Sequence, residues 1–203
     1  KPSNGDTGGM MSTPRLMEDR EEHKHLGEEN PGPFPFSEFE SRFVAMLFNE
    51  TNVNTDSSLF DFGCPDVMIN VHSGGRYILR PHDSKYSRPK HDALQSLLSE
   101  ILLMRHCKDC IQANSIVALY KSLGTLGDYM EESCSPLINF TWEIYIDEEA
   151  ASKGDCFGAY NPRKKADYEE VMNTWGDASE TLLEHALYIK KKGVEPYIKF
   201  MNG

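Results

Sequence analysis

Val67-Met68-Ile69-Asn70-Val71, Ser73-Gly74-Gly75 and Tyr77-Ile78-Leu79 follow one another in the chain, two short apolar runs on either side of a glycine turn. Runs of this length, bounded by glycine and serine, predict two strands joined as a β-hairpin. A hairpin returns its two ends side by side. Asp66, entering the first strand, and Asp83, leaving the second, are therefore expected to share one sheet edge. Lys85 stands two residues after Asp83, and the period-2 geometry of a strand points it to the same side. Two carboxylates on one edge suit a hard divalent cation, which takes oxygen ligands. The lysine ammonium would then face a metal-bound water or a scissile phosphate.

Outward from the hairpin the chain reads as helices and one further strand. Ser37-Glu38-Phe39-Glu40 is a capping box and starts a helix with Phe39, Phe43, Met46 and Leu47 as its apolar stripe. Leu94, Leu97, Leu98, Ile101 and Leu102 give an amphipathic helix over 92–105, and a second helical stretch is expected over 114–132, broken near Gly124–Gly127. From Leu137 to Ile146 the pattern alternates: Phe140, Trp142, Ile144 and Ile146 on one face, Asn139, Thr141, Glu143 and Tyr145 on the other. This predicts a strand with one buried face. A loop over 154–161 and two helices, 162–175 and 178–192, complete the reading, with Pro196 interrupting what remains. Residues 1–33, rich in Gly, Ser, Pro and charge, read as a disordered or loosely attached arm, and 34–203 as one domain. The fold class expected is α/β (or α+β), a small mixed sheet flanked by helices.

Composition narrows function. The chain has 203 residues, 39% of them hydrophobic, and no run of about 18 apolar residues that could span a bilayer. The opening Lys1-Pro2-Ser3-Asn4-Gly5 has no apolar leader pattern. Five cysteines, an odd number without regular spacing, favour a reduced, intracellular (cytoplasmic or nuclear) protein. The net charge of −11 weighs against nucleic acid as partner, because phosphate contacts dominate such binding. Locally, Arg76, Arg80, Lys85, Arg88 and Lys90 form a basic strip around the paired acids.

Pro65-Asp66 followed by Asp83-Ser84-Lys85, with a helix before and another directly after, resembles the PD-(D/E)xK nuclease superfamily over about residues 37–105. The resemblance implies a restriction-endonuclease-like core with extra C-terminal helices. It also implies cleavage of DNA or RNA phosphodiesters with Mg²⁺ or Mn²⁺ held by Asp66, Asp83 and an acid of the preceding helix, Glu40 or else Glu50. Lys85 would orient or deprotonate the attacking water, and Gln95 would face the site from the following helix. Two departures stand out: Pro81-His82 precedes Asp83, and Ser84 occupies a position that is apolar in the family.

Other constellations are weaker. Cys107-Lys108-Asp109-Cys110 has zinc-like spacing but no second ligand pair, and reads as a helix end with two semi-buried thiols. Cys156 with His185 could form a nucleophile and base. Asn49-Glu50-Thr51 and Asn139-Phe140-Thr141 are sequons that read as chance. The alternative to a nuclease is a catalytically silent module that binds a protein partner through its acidic surface and its aromatics Tyr160, Tyr188 and Tyr197.

Overall fold

A computed structural model describes residues 37, 39–48 and 63–202. The expected N-terminal arm, Glu38 of the capping box, Glu50 and the sequon at Asn49 lie outside the described residues. In chain order the elements are α1 (Phe39–Leu47), β1 (Val67–His72), β2 (Tyr77–Arg80), α2 (Asp92–Arg105), β3 (Ile111–Asn114), α3 (Ser115–Ala118) and α4 (Leu126–Ser133). β4 (Ile138–Glu143), α5 (Glu148–Ser152), α6 (Cys156–Tyr160), α7 (Lys165–Lys192) and α8 (Val194–Asn202) follow. The α/β class is borne out: a four-stranded mixed sheet is flanked by helices.

β1 and β2 are strands, as expected, but they do not form a hairpin. The sheet order is β1-β4-β2-β3, with β4 lying between the two runs. β4 runs parallel to β1, pairing His72 with Glu143, and antiparallel to β2, pairing Tyr77 with the same Glu143. The physical reason is the composition of β4. Ile138, Phe140 and Trp142 are at most 2% exposed, so this strand takes the centre, where both edges and one face are covered. Two strand spacings are about 10 Å, which the short loop between His72 and Tyr77 spans easily. Gly74 fixes the crossing by donating to the Tyr145 carbonyl at 2.9 Å.

One face of the sheet carries the main core. Ile78, Ile138, Phe140 and Trp142 pack there against Leu94, Leu98 and Leu102 of α2 and Trp175, Ala178 and Leu182 of α7. Trp142 and Trp175 meet with ring centroids 4.9 Å apart, and Trp175 Nε1 donates to the Ile144 carbonyl. The other face meets α4, where Asn139 Nδ2 donates to the Gly127 carbonyl at 2.9 Å. Asn139 is 1% exposed, so its sequon is sealed inside the fold.

Several local expectations change. The stretch expected as helix over 114–132 is preceded by the strand β3 and holds two helices, α3 and α4, separated by a break that includes Gly124 at φ +72°. The two expected C-terminal helices are one, α7, which runs through Gly176 because Val171, Trp175, Ala178 and Leu182 bury a continuous face. Pro196 sits in the first turn of α8, where its missing N–H has no helical acceptor to lose. Part of the expected 154–161 loop is the short helix α6. The acidic run at Asp147 caps α5, with its carboxylate accepting from Ala150 N.

Four cysteines are paired, contrary to the reduced-thiol reading. Cys64 bonds Cys134, tying the approach to β1 to the end of α4, and Cys107 bonds Cys110 in the turn after α2. Cys156 is free and exposed. The chain distances involved are 70 and 3 residues, so spacing in sequence carries no sign of the first bridge.

Two outcomes follow from this packing. The space around a methyl group at Gly176 is open, so Gly176→Ala is expected to stabilise the fold by about 1 kcal/mol and raise Tm by roughly 2–4 °C. The Cys64–Cys134 bridge closes a 70-residue separation, worth roughly 4 kcal/mol in the loop-entropy view. Cys64→Ser is therefore expected to lower Tm by about 10 °C in a calorimetric melt.

Candidate functional site

Asp66 and Asp83 are not brought together. Asp66 precedes β1 and its carboxylate pairs with Lys190 of α7, on the core-helix face. Asp83 follows β2 and turns to the opposite face, towards α4. There Thr125 Oγ1 donates to its Oδ2 at 2.7 Å, and a methyl at Gly127 would stand 3.2 Å from the same oxygen. β4 separates the two acids laterally as well.

The remaining expected site residues also have other partners. Lys85 pairs with Glu132 at the end of α4, holding that carboxyl below its usual value. Gln95 is fully buried on α2, with neither amide atom hydrogen-bonded to protein. Glu40 is exposed in the first turn of α1. Among the described residues, no group of three or more His, Cys, Asp or Glu side chains is arranged to hold a metal ion. The basic strip is largely neutralised: Arg76 pairs with Asp109 and Glu170, Arg80 and Arg88 with Asp92, and Lys85 with Glu132. Cys156 and His185 do not form a dyad, since His185 Nδ1 is hydrogen-bonded with the Tyr197 hydroxyl at 2.8 Å. Tyr197 is 1% exposed rather than a surface aromatic, and burial pushes its hydroxyl up to about 12.

The face that Asp83 does share is the more informative one. Cross-strand partners project to the same side of a sheet. The register therefore sets Asn70 and His72 of β1, Asn139, Thr141 and Glu143 of β4, and Tyr77 of β2 on the face opposite the main core. At its lower end this row is sealed by α4. Asp128 there accepts from Asp83 N at 2.7 Å and Ser84 N at 3.0 Å, and also from the Ser84 hydroxyl. Burial pushes the Asp83 carboxyl above its ordinary value, with Asp128 acting the same way, while Thr125, Ser115 and His82 pull it back.

Glu143 stands at the other end, at the carboxyl ends of the parallel pair β1 and β4. Open α/β sheets hold their ligands at such ends. Its Oε2 is buried and has no hydrogen-bond partner. Burial raises its carboxyl above the usual range, and neighbouring His72 opposes the rise. Gly74, at φ +154°, leaves a space that a Cβ would fill: that atom would stand 3.4 Å from Glu143 Oε2 and 3.8 Å from the Tyr160 ring. A buried acid with an orphaned oxygen and an exposed imidazole in register beside it is the kind of pairing that can act as a general base. The polar alternation of 139, 141 and 143 was legible in sequence, whereas the pairing of Glu143 with His72 depends on a register between residues far apart in the chain.

No protein-family model matches the chain, and no curated protein is significantly similar to it. Among solved structures, the chain is similar to the crystal structure of carboxypeptidase A from Helicoverpa armigera, with a TM-score of 0.46 and 17% identity. The match covers 72% of this chain and 35% of that one, so this chain spans about a third of that protein's length. A likeness this loose transfers no chemistry.

The raised carboxyl makes stability depend on pH. In the folded state Glu143 keeps its proton to higher pH than in the unfolded chain, so folded protein binds more protons above about pH 4.5, and its contribution to stability is lost as pH rises through the folded value. Glu143→Gln, which cannot ionise, is expected to melt higher than wild type at pH 8 and at the same temperature at pH 4. A melting series over that range checks the sign.

Proposed function

We propose that the protein is a hydrolase in which Glu143 is the general base. The observation that supports this best is the Glu143 carboxyl itself: raised by burial, with one oxygen unbonded, beside His72. A base whose affinity for protons is lifted towards neutrality takes a proton from water more readily and still ionises. Glu143 as a residue is partly exposed, although its Oε2 is buried. His72 is exposed and in register, placed to steady the ionised carboxylate and to bind the group under attack. Asn70, Thr141 and Tyr77 offer neutral hydrogen-bonding groups along the same face.

The substrate class we favour is acyl, an amide or ester carbonyl, over a phosphodiester. With a net charge of −11 and the arginines near β2 already paired to carboxylates, the surface offers little to a polyanion. The nuclease-like reading with Mg²⁺ or Mn²⁺ stands as the competing proposal, and it rests on the Pro65-Asp66 and Asp83-Ser84-Lys85 pattern.

One substrate panel separates them. Peptides, esters and labelled DNA and RNA are incubated with wild type, Glu143→Gln and Asp83→Asn, each with and without added divalent metal. Turnover of peptide or ester that falls by about 10²–10⁴-fold in Glu143→Gln, with Tm undiminished, is the expected result. Phosphodiester cleavage that is lost in Asp83→Asn and kept in Glu143→Gln would transfer the site to Asp83. Peptide or ester turnover that persists in Glu143→Gln would remove the carboxylate from the mechanism.

A further inference from the structure

β1 is an edge strand among the described residues, and it carries none of the features that usually protect an edge. The Asp66 and His72 carbonyls accept from Ile138 and Ile144 of the β4 segment. By the alternation of a strand, the backbone groups of Val67, Ile69 and Val71 then turn outward, away from β4. Val67–His72 contains no proline, no lysine and no acid, the residues that ordinarily discourage a second strand from pairing. Val71, in register with core Trp142, is 55% exposed.

Beside this edge runs a bare flank of α7. At about 100° per residue, Tyr168, Met172, Gly176, Ser179, Leu183 and Leu187 fall within one arc roughly 100° wide. Tyr168, Met172, Leu183 and Leu187 are 53%, 54%, 52% and 69% exposed. Two contacts fix which way this flank faces. Glu170 reaches Arg76 on the β2 side of the helix, and Lys190, on the same arc as the apolar stripe, reaches Asp66 on the β1 side. The stripe therefore lies on the β1 side of α7 and runs about 28 Å along the helix. With Val71 it presents roughly 600 Å² of largely apolar surface, at the upper limit of what a monomer leaves bare and near the 800 Å² each partner contributes to a standard interface.

We infer that a second copy of this chain docks here, pairing β1 with β1 antiparallel and α7 with α7 about a two-fold axis perpendicular to the sheet. The reasons for a second copy are geometric. Such an axis keeps both helices on one face, brings the two apolar stripes against each other, and continues the sheet from four strands to eight. It also sets the two α7 macrodipoles antiparallel and brings the Lys191 end of one helix towards the Glu169 end of the other.

Light scattering on the full chain at about 100 µM tests the proposal, with far-UV circular dichroism confirming that each variant folds. The expected wild-type mass is twice the 23.0 kDa of one chain. Leu183→Glu with Leu187→Glu places charge in the stripe, and Val71→Pro removes an outward N–H while leaving the β4 ladder intact. Each is expected to return the mass to one chain. A wild-type monomer at that concentration overturns the inference, as does a dimer that persists in both variants. Capture of a different polypeptide that displaces the second copy from the same residues overturns it too.

Discussion

β4 is the strand on which everything else is hung. Its even-numbered residues, Ile138, Phe140 and Trp142, enter the core beneath α2 and α7, while Asn139, Thr141 and Glu143 line the opposite face. Both edges are occupied, by β1 in parallel and β2 in antiparallel pairing, so its register decides what stands beside Glu143 on either side. The Trp142–Trp175 contact then sets the height of α7 above the sheet. A one-residue slip of this strand would put three large apolar side chains on the polar face and Glu143 in the core, which makes the register strongly specified.

The two faces of the sheet divide the work. The helical face is apolar, closed and stabilising. The other is polar, partly covered by α4, and holds carboxyls raised by burial at Asp83 and Glu143. These two acids differ in character. Thr125 and Ser115 hydrogen bonds satisfy Asp83, and it packs against Gly127 in the first turn of α4. Glu143 has an oxygen without a partner and a glycine seat in front of it. A satisfied buried acid stabilises the fold, whereas a buried oxygen without a partner costs stability.

The sequence-derived site was built on a sound local observation and an unsound long-range step. Val67–Val71 and Tyr77–Leu79 do form strands, and Asp66 and Asp83 do flank them. Pairing the strands with each other assumed that neighbours in sequence are neighbours in the sheet. Insertion of β4 between them sent Asp66 towards Lys190 and Asp83 towards Thr125. Lys85 kept its place beside Asp83 in the chain but found Glu132, an attraction invisible before α4 was positioned.

What the amino-acid order determined by itself is local: the apolar period of α2, the alternation of β4, the helix-ending position of Lys190–Lys192, and the α/β class that these together imply. Those features are set by side-chain spacing within a few residues, where backbone geometry alone relates sequence to direction. Tertiary structure decided the strand order, the Cys64–Cys134 bridge, the meeting of His72 with Glu143, and the flank of α7 left bare beside β1. Each joins segments distant in the chain. The free energy that selects such a pairing comes from burying the most apolar strand at the centre, a competition among all the elements at once.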